Sequence, residues 1–358
     1  MARENGNHIR IKDIAEQAGC SIGTVDRVIH KRGKVSAEVE KRILQIMKEL
    51  DYKPDLSARA LASKRSLTLG ILLPSYRKGE FWELPNMGIR EAIAQFEEQG
   101  FDIHAIQHKY TNRDQFYREG MKMAGENTDG IILSPSSYRE SVMLARSYFQ
   151  HNKPFILIDS DIDGVPSLSF IGKNPVQSGQ TVARLIHQVT RHIPGMKKVW
   201  TLNVSKNLSQ MYALLARESG FMSYFAEKHL QNEYSFNTRE MEDKGSQKLI
   251  DSQLAELISK EIPHAIYVTG SRVHKIATAL KKLKLEKKPL LIGHDLIDAN
   301  RARVEDESID FLIEEEGRRQ GAQAVDTMVR HIIYKERPEN KQMMNLMIYT
   351  RENLPSRQ

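Results

Sequence analysis

Polar and aromatic side chains follow apolar runs in the long carboxy-terminal part of this sequence. Asp159 comes directly after the run PFILI, Asp295 comes after LLIGH, and Arg217 is predicted at the start of a helix. The neighbouring aromatic residues Phe81 and Trp82 stand in the loop after the first apolar run. Carboxylates and a guanidinium can form paired hydrogen bonds with vicinal hydroxyl groups, and aromatic faces can stack on the C–H surface of a sugar. The set therefore indicates a binding site for a small polyhydroxylated molecule.

No motif in the sequence indicates catalysis. It contains no phosphate-binding GxxxxGK or GxGxxG, no HExxH and no paired-cysteine spacing. The single cysteine, Cys20, excludes a disulfide framework and a thiolate cluster for zinc, and we expect it to be a small packing residue. We therefore predict a protein that is not an enzyme and has no metal and no cofactor. An enzyme on an α/β scaffold, such as a sugar kinase, is the least favoured alternative.

Apolar runs alternate with amphipathic stretches such as Met87–Phe96 and Val273–Leu283 from residue 67 onward. The predicted strands are LTLGILL (67–73), FDIHAI (101–106), DGIIL (129–133), PFILI (154–158), KKVWTLN (197–203), HAIYV (264–268), PLLI (289–292) and IDFLI (309–313). Continuous apolar runs are typical of parallel strands that are buried on both faces. The pattern predicts an α/β domain of two lobes with parallel sheets. Ligands of such sheets bind beyond the carboxyl ends of the strands, where the polar residues stand.

The amino-terminal part predicts three short helices. Ile11, Ile14, Ala15 and Ala18 recur at the spacing of one helical face. A break at Gly19-Cys20-Ser21 follows, in which glycine can end one helix and serine can cap the next. The second helix buries Val25, Val28 and Ile29, and the third, capped by Ser36 and ended by Pro54, buries Val39, Ile43, Ile46, Met47 and Leu50. The arrangement is typical of a helix-turn-helix.

Positive charge is concentrated in this amino-terminal part. The chain has 358 residues and a net charge of +7, and residues 1–65 contain 14 lysines and arginines against nine aspartates and glutamates, a net charge of +5. A basic head on a nearly neutral body favours DNA as the partner of the head. A small three-helix protein-binding module is the alternative. The segment DLSARALASKR (55–65) is too short for a stable isolated helix and is either a helix formed on DNA or an ordinary linker.

The beginning of the sequence has no apolar segment of the kind found in secretory signals, and no apolar run approaches the ~20 residues that cross a bilayer. We therefore expect a cytoplasmic protein that does not act at a membrane.

The stretch from IKDIAEQAGCSIGTVDRV to DLSARALAS closely resembles the DNA-binding headpiece and hinge of the lac repressor family. The pattern D-[IV]-A-x-x-A-G-x-S-x-x-T-V-x-R-V is matched by Asp13, Ile14, Ala15, Ala18, Gly19, Ser21, Thr24, Val25, Arg27 and Val28. The remainder resembles the effector domain of that family, which is itself similar to periplasmic ribose-binding proteins. The resemblance implies a headpiece at residues 1–54, a hinge at 55–66 and a two-lobed effector-binding and dimerisation domain at 67–358.

The resemblance also implies which residues contact DNA. Ile22, Gly23 and Arg27 match positions that contact bases in the major groove, and Ser21 and Thr24 match positions on or near phosphates. Arginine can pair bidentately with guanine, and isoleucine can contact a thymine methyl group.

The hinge residue that wedges into the minor groove corresponds to Leu61, which Arg59 precedes by two positions. Because the hinge helices of the family pair across a dimer, a homodimer is implied.

The pocket positions of the family match this chain unevenly. Phe81 and Trp82 match an aromatic pair, Asp159 the aspartate of an I-D-R segment, Arg217 the arginine of R-x-x-G-F and Asp295 the aspartate of G-[FY]-D. Two further positions differ: Gly270 stands where a ligand-binding asparagine is common, and Glu315 stands where a glutamine is common. A sugar or sugar derivative is the expected effector.

Together these features predict a dimeric transcriptional regulator, a repressor, that binds a pseudo-palindromic double-stranded DNA operator under control of a small effector. The alternative is a cytoplasmic sugar-binding sensor without specific DNA recognition. The intact run from Ser21 to Val28 argues against this alternative.

Overall fold

The computed structural model describes residues 11–29, 33, 35–50, 66–205 and 211–356. The described chain divides into a small unit at residues 11–50 and a larger unit formed by residues 66–98 and 102–356. The predicted hinge residues Arg59 and Leu61 lie outside the described residues. None of the helices in the described ranges is long and apolar enough to cross a membrane.

The small unit contains the three predicted helices: α1 (Ile11–Ala18), α2 (Ile22–Ile29) and α3 (Ala37–Glu49). Its core consists of buried apolar side chains from all three helices: Ile14, Ala15, Ala18, Val25, Val28 and Ile43. Ser36 occupies the N-cap position of α3, although its side chain makes no capping hydrogen bond.

The break between α1 and α2 has the predicted chemistry. Gly19 has a φ of +63°, the left-handed region in which glycine is favoured. The amide of Cys20 donates to the carbonyl of Ala15 at 3.0 Å and that of Gly19 donates to Glu16 at 3.2 Å, which is the pattern of a Schellman cap. The hydroxyl of Ser21 then accepts from the amide of Thr24 at 3.2 Å. These bonds end α1 and start α2 within three residues.

The larger unit contains two six-stranded sheets in the described residues. The strands are β1 (Ser66–Pro74), β2 (Asp102–Tyr110), β3 (Gly130–Leu133), β4 (Phe155–Asp159), β5 (Ser169–Gly172), β6 (Lys197–Ser205), β7 (Tyr234–Glu242), β8 (Ala265–Val268), β9 (Leu290–His294), β10 (Phe311–Glu314), β11 (Lys341–Met343) and β12 (Met347–Tyr349). The strand orders are β11-β5-β4-β3-β1-β2 and β12-β10-β9-β8-β6-β7. The pairing is parallel except between β10 and β12, which are antiparallel.

Helices connect most of the successive strands of both sheets. They are α4 (Glu83–Glu98), α5 (Arg113–Gly125), α6 (Tyr138–Gln150), α7 (Pro175–Thr190), α8 (Met211–Glu227), α9 (Gln247–Lys260), α10 (Val273–Leu283), α11 (Asp298–Glu305) and α12 (Gly317–Tyr334). The two sheets with their helices form two lobes. Within the described residues the chain passes between them after β5, after β10 and after β11. Lys173 and Glu315 stand at the first two of these crossings.

The predicted α/β class is confirmed, and the eight predicted strands are present with shifted ends. The strands β5, β7, β11 and β12 were not predicted. β7 (YSFNTREME) is an edge strand with several exposed polar side chains, so it lacks the apolar run by which the buried strands are recognised. β11 and β12 have only three residues each.

Pairs of glycines bring helices close together in each lobe. A Cβ atom on Gly179 of α7 would lie 1.8 Å from the carbonyl oxygen of Arg217 in α8, and one on Gly88 of α4 would lie 1.8 Å from that of Arg318 in α12. Such distances are possible only without a side chain. The α7–α8 contact therefore sets the position of the helix that carries Arg217.

Candidate functional site

One face of α2 is exposed. Ser21, Ile22, Gly23 and Arg27 are exposed and Thr24 is half-buried. Ile22 is 57% exposed although its side chain is apolar. Since α2 buries Val25 and Val28 on its other side, this set of residues, the α2 face, does not contribute to the core of the small unit.

The larger unit holds a cluster of charged side chains that are almost completely buried. We call it the buried ionic cluster; its members are Asp159, Lys173, Arg217, Asp295 and Glu315, with exposed fractions of 8, 6, 3, 4 and 1%. Four of them stand at the carboxyl ends of β4, β5, β9 and β10, and Arg217 lies in α8. The cluster thus lies at the edge of the sheets where ligands of α/β folds bind.

Four of the five members, all except Asp295, form a continuous chain of ion pairs between the lobes. The ammonium of Lys173 lies 2.9 Å from Oδ1 of Asp159 and 2.7 Å from Oε2 of Glu315. The same Oε2 atom accepts from the guanidinium of Arg217 at 2.5 Å, and a second nitrogen of that guanidinium donates to the carbonyl of Thr269 at 2.6 Å. Asp159 belongs to the first lobe and Arg217 to the second, so Lys173 and Glu315 connect them at the chain crossings.

Phe81 lies against this cluster. The ammonium of Lys173 is 5.1 Å from the centre of the Phe81 ring, within the range of a cation–π interaction. Trp82 packs edge-on against Phe81, with 5.1 Å between the ring centres. Both rings are half-buried.

The two aspartates share an unusual backbone conformation. Asp159 has a φ of +69° and Asp295 a φ of +70°, in the left-handed region that costs a residue with a side chain about 1–3 kcal/mol. In the second lobe the amide group of Asn300 donates to the carbonyl of Asp295 at 2.7 Å and to that of His294 at 2.9 Å. These bonds help to hold the strained segment after β9.

Burial and charge shift the pKa values of the acidic members in opposite directions. Burial raises the pKa of Asp295 to about 7, although Lys173 and Arg217 act against this shift. Burial also acts to raise the pKa of Glu315, but the two cations outweigh it and hold that pKa well below its usual range. Glu315 is therefore ionised at neutral pH, whereas Asp295 exchanges its proton near neutral pH.

The surroundings also determine the protonation states of Lys173 and His294. Burial and Arg217 act to lower the pKa of Lys173, yet Asp159 and Glu315 together raise it above its usual value, so the ammonium stays protonated. Burial holds the pKa of His294 well below its usual value, so this imidazole is neutral. Its Nε2 atom lies 2.9 Å from the hydroxyl of Tyr267.

Several buried polar atoms of this region have no hydrogen-bond partner among the described residues. They include Nε of Arg217, Oδ1 of Asp295, Oε1 of Glu315 and Nδ1 of His294, whereas Oδ1 of Asp159, which also has no hydrogen-bond partner, is ion-paired with Lys173. A buried polar atom without a partner is costly, and its presence at a strand end is typical of a site that a ligand completes. Hydroxyl groups, which both donate and accept, match this mixture of donor and acceptors. No group of side chains suited to a metal ion occurs in the described ranges.

The structure brings most of the predicted pocket residues together. Asp159, Arg217 and Glu315 are linked through Lys173, and Phe81 contacts the same lysine. Asp295 joins through electrostatic interaction with the two cations, and Trp82 only through Phe81. The prediction that Arg217 stands at a helix start was wrong, because α8 begins at Met211 and Arg217 lies inside it.

Lys173 was missed by the sequence analysis. It directly follows β5, a four-residue strand that was not predicted. The available signal was a lysine placed after the apolar segment SFIG, in the same position relative to a strand as the two aspartates.

Two protein families match the chain. Residues 69–336, more than half of the chain, match the periplasmic binding protein domain family. Residues 10–55 match the lacI family of bacterial regulatory proteins.

Curated relatives carry the names of regulators rather than enzymes. The HTH-type transcriptional regulator MalR of Streptococcus pneumoniae is 27% identical over 172 residues, which is 48% of this chain and 51% of that protein. The ribose operon repressor of Halalkalibacterium halodurans is 29% identical over 196 residues, 53% of this chain and 55% of that protein. The chain thus spans about half the length of these relatives. The sucrose operon repressor of Streptococcus mutans is 25% identical over 310 residues, 81% of this chain and 91% of that protein.

Solved structures share the fold of most of the chain. A protein from Bacteroides fragilis assigned to the LacI transcriptional regulators has a TM-score of 0.72 at 24% identity, covering 81% of this chain and 98% of that chain. A solute binding protein from Burkholderia graminis in complex with D-arabinose has a TM-score of 0.69 at 16% identity, covering 81% and 96%.

The two family matches confirm the resemblance seen in the sequence: the lacI match falls on the three-helix unit, and the periplasmic binding protein match falls on the two-sheet unit. The chain therefore belongs to the periplasmic binding protein domain family, and its amino-terminal residues 10–55 match the lacI family of bacterial regulatory proteins.

Proposed function

We propose that this chain is a sequence-specific DNA-binding transcriptional regulator that acts as a repressor in the cytoplasm and responds to a small sugar or sugar derivative. Residues 1–54 are the DNA-binding headpiece, residues 55–66 the hinge, and residues 67–358 the effector-binding and dimerisation domain. The protein acts as a homodimer on a pseudo-palindromic operator, each headpiece contacting one half-site.

The exposed α2 face carries this proposal. It presents a guanidinium, two hydroxyl-bearing side chains and an exposed apolar side chain from a helix whose other side is packed. A helix of this kind in a helix-turn-helix enters the major groove, where Arg27 pairs with guanine and Ile22 contacts a thymine methyl group. Ser21 and Thr24 lie at the start of α2, suited to phosphate contacts. Arg59 and Leu61 complete the contacts from the hinge in the minor groove.

The buried ionic cluster supports the effector part of the proposal. Its carboxylates and guanidinium stand at strand ends of both lobes, and Phe81 and Trp82 supply an aromatic surface beside them. Binding there acts on the relative orientation of the lobes, because Lys173 and Glu315 stand at chain crossings. The ligand changes operator affinity only through its different affinity for the two states of the protein.

Selection of bound duplexes from a random DNA pool by the full-length protein tests the DNA-binding function. The salt concentration is held constant because phosphate contacts make the affinity depend on salt. We expect an enriched pseudo-palindrome with a flexible central step. If no sequence is enriched, either alone or with a panel of sugars, the regulator is ruled out and a sugar sensor without specific DNA recognition replaces it.

A pair of variants tests the α2 face. Arg27→Ala is expected to lose about 1–3 kcal/mol on the enriched sequence and to relax specificity at one base pair in each half-site. Lys41→Ala removes the same charge from the exposed surface of α3. This control is expected to leave the sequence preference unchanged. Equal loss of sequence preference in both variants would contradict the assignment of Arg27 to base recognition.

A further inference from the structure

The buried ionic cluster and the adjoining Glu314 contain more carboxylates than cations. The carboxylates are Asp159, Asp295, Glu314 and Glu315, each less than a tenth exposed. The buried cations beside them are Lys173 and Arg217. Two carboxylates thus lack a cation of their own within this group of described residues. An ionised carboxylate that is buried without compensation costs several kcal/mol.

The two surplus groups differ in how they are satisfied. The carboxylate of Glu314 accepts hydrogen bonds from the backbone amides of Leu296 at 2.5 Å and Gly317 at 3.2 Å. Both of its oxygens are therefore already bonded to the neighbouring backbone. Asp295 is 4% exposed, and its Oδ1 atom has no hydrogen-bond partner. Asp295 is therefore the surplus carboxylate that remains available to a ligand.

The unpartnered atoms also favour a ligand that donates hydrogen bonds. Oδ1 of Asp295 and Oε1 of Glu315 are acceptors, and Nε of Arg217 is a donor. The further unpartnered atom, Nδ1 of His294, lies 3.8 Å from Oε1 of Glu315, whereas Oδ1 of Asp295 has no such neighbour among the described residues. The donors of Lys173 are engaged by Asp159, by Glu315 and by the Phe81 ring. A ligand that completes the hydrogen bonding of the cluster thus has to supply a donor to Oδ1 of Asp295.

The cluster already accommodates one ammonium group. The Lys173 ammonium is 6% exposed and lies between two carboxylates and an aromatic ring. These are the surroundings that stabilise a desolvated ammonium. A second such group beside Asp295 would balance one of the two surplus carboxylates, whereas an anionic ligand would increase the imbalance.

We propose that the ligand of this cluster is an amino sugar, whose protonated amino group pairs with Asp295 and whose hydroxyl groups bond to Glu315 and Arg217. This inference rests on the proposed sugar-responsive function and narrows its ligand class. In the absence of ligand, burial raises the pKa of Asp295 to about 7. The carboxyl then holds a proton near neutral pH, and the ammonium of the ligand replaces that proton.

Calorimetric titration of the full-length protein at pH 7 tests the inference. The probes are D-glucosamine, D-galactosamine and D-mannosamine, each compared with its neutral hexose, its N-acetyl derivative and its 6-phosphate. We expect at least one amino sugar to bind about tenfold or more tightly than its neutral and acetylated counterparts, since a tenfold change corresponds to about 1.4 kcal/mol. The N-acetyl compounds are decisive because they keep the nitrogen and remove the charge.

Two matched variants locate the amino group. Asp295→Asn keeps the size of the side chain and is expected to abolish the preference for the amino sugar. Asp298→Asn makes the same change at an exposed position three residues away, at the start of α11, and is expected to keep the preference. Persistence of the preference in Asp295→Asn would overturn the assignment to Asp295.

The outcomes separate this inference from the proposed function. If neutral or phosphorylated sugars bind and amino sugars show no advantage, the amino-sugar inference is wrong and the sugar-responsive function stands. If no sugar of any class binds or alters DNA binding, both are wrong.

Discussion

At the scale of single residues, Lys173 connects the two lobes. Its ammonium pairs with Asp159 on one side and with Glu315 on the other, and Glu315 in turn pairs with Arg217. Removal of this one cation leaves two buried carboxylates, of which Glu315 retains only Arg217. Such a loss lowers the free energy of unfolding by much more than the intact ion pair contributes to it, because a buried charge without a partner remains.

Replacement of Lys173 by methionine, which has a similar length and no charge, is expected to lower the free energy of unfolding by about 3–5 kcal/mol at pH 7. The quantity is measured by urea denaturation of the full-length protein. Lys282→Met is the matched control: this lysine pairs with Asp251 at 2.5 Å but is 57% exposed. Its loss is expected to cost about 0–1 kcal/mol. Equal costs for the two variants would contradict the role of Lys173.

Asp295 makes the free energy of unfolding depend on pH, and its contribution to stability falls as the pH rises. Burial raises its pKa from 3.8 to about 7 in the folded protein, so between these values the folded state holds a proton that the unfolded state has released. The stability contributed by this group is complete below about pH 4 and is lost as the pH rises through 7. Asp295→Asn removes this loss. The free energy of unfolding of the variant should therefore increase relative to the parent protein from pH 5 to pH 8.

Urea denaturation at a series of pH values measures this difference. Asp298→Asn, at an exposed position, is expected to show no comparable change relative to the parent protein. A difference between Asp295→Asn and the parent that stays constant with pH would show that Asp295 titrates at its ordinary value.

At the scale of elements, the contact between α7 and α8 positions Arg217. Gly179 of α7 faces the carbonyl oxygen of Arg217 so closely that a Cβ atom would lie 1.8 Å from it, and Gly220 of α8 faces Val176 in the same way at 2.0 Å. The neighbouring atoms are backbone, which cannot yield as the end of a flexible side chain can. Any added methyl group must therefore separate the two helices and displace the guanidinium from Glu315.

Gly179→Ala is expected to lower the free energy of unfolding by about 1–3 kcal/mol, the cost of overpacking, and to weaken ligand binding. Urea denaturation and calorimetric titration measure the two effects. Gly125→Ala, at the end of α5, is the control, since a Cβ atom there would meet nothing within 4 Å. It is expected to leave stability unchanged or slightly increased. Unimpaired stability in Gly179→Ala would show that the helices separate without cost.

At the scale of the whole molecule, the proposed function couples two binding events. If the effector changes operator affinity by a given factor, the operator must change effector affinity by the same factor, whichever direction the change takes. This equality follows from linkage and does not depend on whether the effector releases DNA or promotes its binding.

Titration of the effector with and without operator DNA, and of the operator with and without effector, is expected to yield equal factors. Arg217→Ala is expected to retain operator binding and to lose the response to effector, because Arg217 belongs to the buried ionic cluster. Unchanged effector affinity in this variant would place the effector site elsewhere. Unequal factors in the parent protein would show that the titrations had not reached equilibrium or that a third species takes part.

Local sequence patterns were sufficient to predict those helices and strands whose own residues form a cap, an amphipathic face or a continuous apolar run. The helices of the small unit follow from apolar spacing and from the Gly19-Cys20-Ser21 break, because caps and amphipathic faces are local features. The strands β4 and β9 follow from continuous apolar runs, since parallel strands covered on both faces contain few polar residues. The edge strand β7 escaped prediction because its exposed side chains are polar.

The fold class, the helix-turn-helix and the family resemblance are predictable from the amino-acid order alone, since they depend on the spacing of neighbouring residues. Three features of the site arise only on folding: Lys173 joins Asp159 to Glu315, Glu315 pairs with Arg217, and Asp295 remains a surplus carboxylate. These residues lie apart along the chain. The four strand-end residues meet because parallel strands end at the same edge of each sheet, and the packing of α8 against α7 brings Arg217 to them. Burial at that edge then converts ordinary charged side chains into a coupled site.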